Sequence, residues 1–125
     1  MKREEIKVCV LRVGGTNCDA ETKRAFEELG VRADVVHVNE LVKHRNLLEY
    51  HALVFPGGFS YGDYVRAGAI WAKWILAKLG GELKAFVDEN RPILGICNGF
   101  QVLVEAGLLP GFDGKSQYPE AALAT

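Results

Sequence analysis

Ile93-Leu94-Gly95-Ile96-Cys97-Asn98-Gly99-Phe100-Gln101 sets a short apolar run against a cysteine held between two glycines, with a helix-like stretch beyond. The run reads as a core strand. The pattern Gly95-x-Cys97-x-Gly99 reads as a nucleophile elbow, with cysteine in the place of serine. Such a turn forces its central residue into strained backbone angles, and small neighbours let the strand and the following helix close around it. It also sets Cys97 at a helix N-terminus, where the dipole and unpaired N–H groups favour the reactive thiolate. Taken alone, the pattern fits a small cysteine buried at a strand end equally well.

Outward from this segment, strands and helices alternate. Ala52–Phe55 is a strand halted by Pro56-Gly57-Gly58, and Pro56–Gly62 is loop by composition. Ala67–Leu79 is a strongly apolar helix predicted to end at Gly80-Gly81, with a further turn or two over Glu82–Glu89. Nearer the start, Ile6–Val13 is a nearly continuous apolar run, as a strand buried on both faces requires. Gly14-Gly15-Thr16-Asn17 ends it, and Asn17 or Asp19 is the expected cap of the next helix. Cys18, Thr22, Ala25, Phe26 and Leu29 share one face of that helix, and Gly30 stops it. Ala33–Val38 is a strand, and Asn39–Glu49 holds a short helix. After the elbow, Asn98–Ala106 reads as a helix with Phe100, Leu103 and Val104 turned inward and Gly107 as its stop. Pro110–Thr125 loses periodicity. The alternation predicts an α/β fold, an open doubly wound parallel sheet with helices on both faces. In such sheets the functional crevice lies at the carboxyl ends of the strands. The loops at Gly14–Asn17, Pro56–Gly62 and Cys97 all belong to that end.

The chain has 125 residues, enough for one domain with a core, and its 49% hydrophobic and 25% charged residues are ordinary for a globular protein. A formal net charge of −1 argues against nucleic acid or an anionic membrane as a partner. No apolar stretch is long enough to span a bilayer, and Met1–Glu5 runs into a strand without a leader pattern. The cysteines are Cys9, Cys18 and Cys97, an odd number without C-x-x-C spacing. A disulfide framework and a zinc site are therefore not expected, and a reducing cytoplasm is.

A thiolate that attacks a carbonyl needs donors for the oxyanion. The backbone N–H after the nucleophile, that of Asn98, is one. The second is expected from the loop on the neighbouring strand, where Gly57 or Gly58 presents bare backbone to a substrate. Pro-Gly-Gly alone is a tight turn; beside an elbow it becomes half of an oxyanion hole. Gln101 lies one helical turn beyond Cys97 on the same face, placed to hydrogen-bond a polar substrate or to sit at the core edge. Trp71 and Trp74, one turn apart, fit core packing or a partner-facing patch.

Together these segments resemble a class I (triad) glutamine amidotransferase domain over almost the whole chain. Gly95-Ile96-Cys97-Asn98-Gly99-Phe100-Gln101 carries the shared part of the likeness. Phe55-Pro56-Gly57-Gly58-Phe59-Ser60-Tyr61-Gly62-Asp63-Tyr64-Val65-Arg66 and Gly14-Gly15-Thr16-Asn17-Cys18-Asp19 narrow it to glutaminases that serve purine biosynthesis. The resemblance implies a flavodoxin-like sheet and a Cys97 that attacks the side-chain amide of glutamine to form a thioester. It implies oxyanion stabilisation by Asn98 and by Gly57 or Gly58, contact of Gln101 with bound glutamine, and neither cofactor nor metal. The ammonia passes to a separate ATP-dependent synthase subunit, with a small accessory subunit in the assembly. Asp63 and Arg66 orient their loop, meet that partner, or form a solvated pair.

The general base is missing from this pattern. The family supplies His and Glu well downstream of the cysteine, whereas His37, His44 and His51 all precede Cys97. They read as structural or solvated. Glu105 and Glu120 follow Cys97 but complete no triad without a His. The expectation is that residues 1–125 form the N-terminal part of a single amidotransferase domain, incomplete on its C-terminal side and inactive alone. A non-catalytic module that docks on the synthase is the alternative. A related elbow fold of the intracellular-protease-like group places a glutamate near the cysteine from the first strand, and Ile6–Val13 carries no acid.

Overall fold

In the computed structural model, residues 2–12, 18–43, 46–56 and 69–96 are described, together with Leu103; at 69–72 and 74 the description is of backbone only. Four strands form one sheet: β1 (Lys7–Arg12), β2 (Arg32–His37), β3 (Ala52–Phe55) and β4 (Ile93–Gly95). Their order is β2-β1-β3-β4, and every pairing is parallel. Val8, Cys9, Val10 and Leu11 are all buried, which is why the first apolar run shows no alternation. β1 is paired on both edges and covered on both faces.

The helices are α1 (Asp19–Glu28), α2 (Val38–Lys43) and α3 (Ala69–Asp88). From β1 the chain steps through α1 to β2 on one side. It then returns through α2 to β3 and through α3 to β4 in the opposite direction. With crossovers of one hand, that reversal puts α1 on one face and α2 and α3 on the other. The two apolar clusters follow this division. Leu11, Leu53 and Phe55 of the sheet pack with Leu41 of α2 and with Ile75, Leu79, Leu83 and Phe86 of α3. Val8, Val10 and Val54 point the other way, toward Phe26 of α1. The predicted doubly wound parallel sheet is the observed one.

Two sequence expectations are corrected. The helix expected to stop at Gly80-Gly81 continues without a break to Asp88. Two glycines disfavour a helix by ~1 kcal/mol each relative to alanine. Burial of Ile75 and Leu79 before them and of Leu83 and Phe86 after them, on one stripe, outweighs that cost. The true stop is Asn90, in the left-handed region at φ 58. Its N–H bonds to Val87 and that of Arg91 to Phe86, closing a Schellman-type end before Pro92. Gly81 is exposed, and a Cβ added there would meet nothing within 4 Å. Gly81→Ala is therefore expected to raise stability by about 0.5–1 kcal/mol. A rise in the urea midpoint at constant slope checks this, and a fall would contradict it.

The second correction concerns the start of α1. The N-cap position is Cys18, whose side chain makes no capping bond, and Asp19 is the first helical residue. The Cys18 carbonyl instead accepts the Thr22 hydroxyl at 2.6 Å and the Thr22 N–H at 3.2 Å. Asp19 turns toward Arg12 at the end of β1. Asn17 lies outside the described residues. Gly30, at φ 86, ends the helix as expected. The apolar face expected for α1 is only partly covered: Thr22 is buried and Phe26 half-buried, while Cys18, Ala25 and Leu29 are exposed.

Candidate active site

The order β2-β1-β3-β4 reverses direction between β1 and β3, and the carboxyl ends at such a switch point form the ligand crevice of an open sheet. β3 and β4 end there side by side. Phe55 pairs with Gly95, and the Ile96 N–H donates to the Phe55 carbonyl at 3.0 Å. Pro56, the next residue on the β3 side, is buried. This rung is the last described point before Gly57 on one strand and Cys97 on the other. Paired strands lie ~4.8 Å apart, so the two segments depart from adjacent rails.

Cys97, Asn98, Gly57, Gly58 and Gln101 themselves lie outside the described residues. So do Asp63, Arg66, Glu105 and Glu120, as well as the side chains of Trp71 and Trp74. Beyond the elbow, Leu103 is helical and buried, and joins the cluster of α2 and α3. That matches the inward face expected for it, while Phe100 and Val104 lie outside the description.

The histidines behave as structural groups where described. His51 Nδ1 accepts the Lys7 N–H at 3.0 Å, tying the residue before β3 to the start of β1. His37 Nδ1 accepts the Asn39 N–H at 3.1 Å and so caps the turn from β2 into α2. β2 and β4 are the outer strands of the four, three strand spacings or ~14 Å apart. His37 is therefore out of hydrogen-bond reach of anything at the end of β4. His44 lies outside the described residues.

An ion pair joins the end of β1 to the start of α1 at this edge. Arg12 Nε and Asp19 Oδ2 approach to 3.6 Å, with the Arg12 side chain 57% exposed and that of Asp19 19%. The pair closes the two ends of the segment 13–17, and Asp19 also sits favourably in the first turn of α1. The sequence did hold a signal for it: a base at the end of the first strand, with an acid seven residues beyond. Among the described residues, no group of three or more His, Cys, Asp or Glu side chains is arranged to hold a metal ion. Cys9 is buried and Cys18 exposed. No described helix is long and apolar enough to cross a membrane.

A parallel sheet in the order 2-1-3-4, with its loop-bearing ends gathered at the switch point, defines a flavodoxin-like α/β domain. Within that class the chain belongs to the CobB/CobQ-like glutamine amidotransferase domain family, whose model matches residues 5–125. A phosphoribosylformylglycinamidine synthase subunit PurQ from Archaeoglobus fulgidus is 52% identical, over 99% of this chain and 49% of the relative. The subunit of the same name from Dehalococcoides mccartyi is 47% identical, over 86% of this chain and 42% of its own length. Among solved structures, a chain of PurLQS from Thermotoga maritima superposes with a TM-score of 0.72 at 37% identity, over 84% of this chain and 46% of that one. The chain thus spans about half the length of the curated relatives it matches.

Proposed function

We propose that this chain carries the nucleophile-bearing, N-terminal part of the glutaminase subunit of phosphoribosylformylglycinamidine synthase. The Cys97 thiolate attacks the side-chain amide carbon of glutamine. The N–H of Asn98 and that of Gly57 or Gly58 hold the oxyanion, and Gln101 contacts the substrate. The C–N bond breaks, ammonia leaves with the proton it gains, and water hydrolyses the thioester to glutamate and free thiol. The ammonia goes to the ATP-dependent synthase subunit, with a small accessory subunit completing the assembly in the cytoplasm. The general base and its acidic partner come from the part of the domain that the relatives carry beyond the matched half.

The observation that carries this reading is the Ile96 to Phe55 hydrogen bond at 3.0 Å. It sets the strand leading to Cys97 beside the strand leading to Gly57, as a shared oxyanion hole requires. The test extends the chain with the uncovered part of the Archaeoglobus fulgidus relative and adds a chloroketone analogue of glutamine. A single adduct on the peptide containing Cys97, prevented by excess glutamine, is expected. An unmodified Cys97 would overturn the proposal. A second reading is a docking module that turns over no glutamine. Glutamine hydrolysis by the extended chain would exclude it.

A further inference from the structure

The geometry points to Arg12 and Asp19 as positioning residues for glutamine hydrolysis. Their ion pair fixes the wall of the crevice that stands opposite the strand leading to Gly57. The inference rests on the proposed function and adds two residues to it.

The sheet reverses between β1 and β3, so these two strands wall the switch-point crevice. Their ladder runs from Val8 with Ala52 to Val10 with Val54 and ends there. On its other edge β1 stays paired with β2 two residues further, to Arg12 with His37. β3 is held in the same way on its other edge. It pairs with β4 to Phe55 with Gly95, and the Ile96 N–H then donates to the Phe55 carbonyl. Leu11 and Arg12 therefore lie opposite Phe55 and Pro56 with no ladder between them. Counting on from Val10 and Val54, Arg12 comes level with Pro56, the residue before Gly57.

Where the ladder stops, side chains fix how the end of β1 sits. Leu11 joins the cluster of α2 and α3, so alternation turns Arg12 to the α1 side. There its Nε meets Asp19 Oδ2 at 3.6 Å. The other oxygen of that carboxylate, Oδ1, accepts the Ala20 N–H at 3.0 Å. One side chain thus ties the first turn of α1 to the last residue of β1, and it is only 19% exposed. With Arg12 57% exposed, the pair contributes little to folding. Catalysis is far more sensitive to the same contact. An oxyanion hole depends steeply on where its donors stand, and a misplacement of ~1 Å costs up to about a hundredfold in rate. A weak tie beside the strand that leads to the donors therefore acts on rate rather than on stability.

Arg12→Met, Asp19→Asn, the two together and Arg12→Lys are made in the chain extended by the uncovered part of the Archaeoglobus fulgidus relative. Lys23→Met, which breaks the Lys23–Glu27 pair elsewhere on α1, is the control. Steady-state glutamine hydrolysis and thermal unfolding are measured for each. In Arg12→Met and Asp19→Asn, kcat is expected to fall by about fivefold, with KM within about twofold and the unfolding midpoint little changed. The double variant should lose no more than either single one, because both break one contact. Arg12→Lys keeps the charge and should retain at least about half of the parent kcat, and Lys23→Met should match the parent. An unchanged kcat in both single variants would overturn the inference. So would losses that multiply in the double variant, or a fall in kcat that merely tracks a fall in folded protein. A raised KM at constant kcat would also overturn it, since that marks Arg12 as a substrate ligand. An unsubstituted extended chain that hydrolyses no glutamine sinks the proposed function and this inference with it. Hydrolysis that the variants leave untouched sinks this inference alone.

Discussion

Phe86→Ala is expected to lower the stability of this domain by about 3–5 kcal/mol. The ring is fully buried near the end of α3, among Leu79, Leu83 and the side chains on that face of the sheet. It also supports a cation. The Arg91 guanidinium lies 5.7 Å from the ring centroid, and its Nη1 donates to the carbonyls of Leu48 and Tyr50, each at 2.6 Å. One guanidinium thus joins the end of α3 and the approach to β4 to the segment leading into β3. Loss of the ring leaves a cavity and removes one wall of that arrangement. Small domains hold only about 5–15 kcal/mol in total, so the variant loses a large share of it. Arg91→Met keeps the aliphatic stem but orphans two carbonyls, and is expected to cost about 2–3 kcal/mol. Because the two side chains touch, the double variant should fall short of the sum. Urea titrations followed by circular dichroism read all three. A loss below about 1 kcal/mol for Phe86→Ala would show that the site collapses without a cavity.

This clamp lies at the amino edge of the sheet, while the candidate active site lies at the carboxyl edge. The separation explains what the sequence revealed. Strand positions, parallel pairing and the two-sided core follow from apolar runs such as Ile6–Val13 and from the helices between them. Those patterns are set by burial, which dominates the energy. The end of α3 was misjudged because glycine propensity is a local term of ~1 kcal/mol, and the stripe Ile75, Leu79, Leu83, Phe86 exceeds it. The Arg91 clamp joins residues whose distance in space depends on strand order, which apolar periodicity does not convey. The segment Gly95–Gln101 reads as a motif by residue type and spacing alone, and from Cys97 to Gln101 it lies outside the described residues.

On the proposed function, Cys97→Ser is expected to abolish glutamine hydrolysis in the chain extended by the uncovered part of the Archaeoglobus fulgidus relative, by about a thousandfold or more. Serine is nearly isosteric, so the variant should fold and bind glutamine as before. What changes is the nucleophile: a helix N-terminus readily favours a thiolate, whereas a serine hydroxyl depends on a strong base for the same proton. The loss should therefore appear in kcat with little change in glutamine affinity, as for a group that acts only in the transition state. The proposed assembly with an ATP-dependent synthase subunit gives a second readout. Glutamine-dependent amination by the complex should vanish, while amination driven by added ammonia should persist, since free ammonia bypasses the thioester. Loss of both activities would point to a failure of docking rather than of chemistry. Retention of the glutamine-dependent activity would remove Cys97 as nucleophile and leave the exposed thiol of Cys18, at the same carboxyl edge beside α1, as the next to replace.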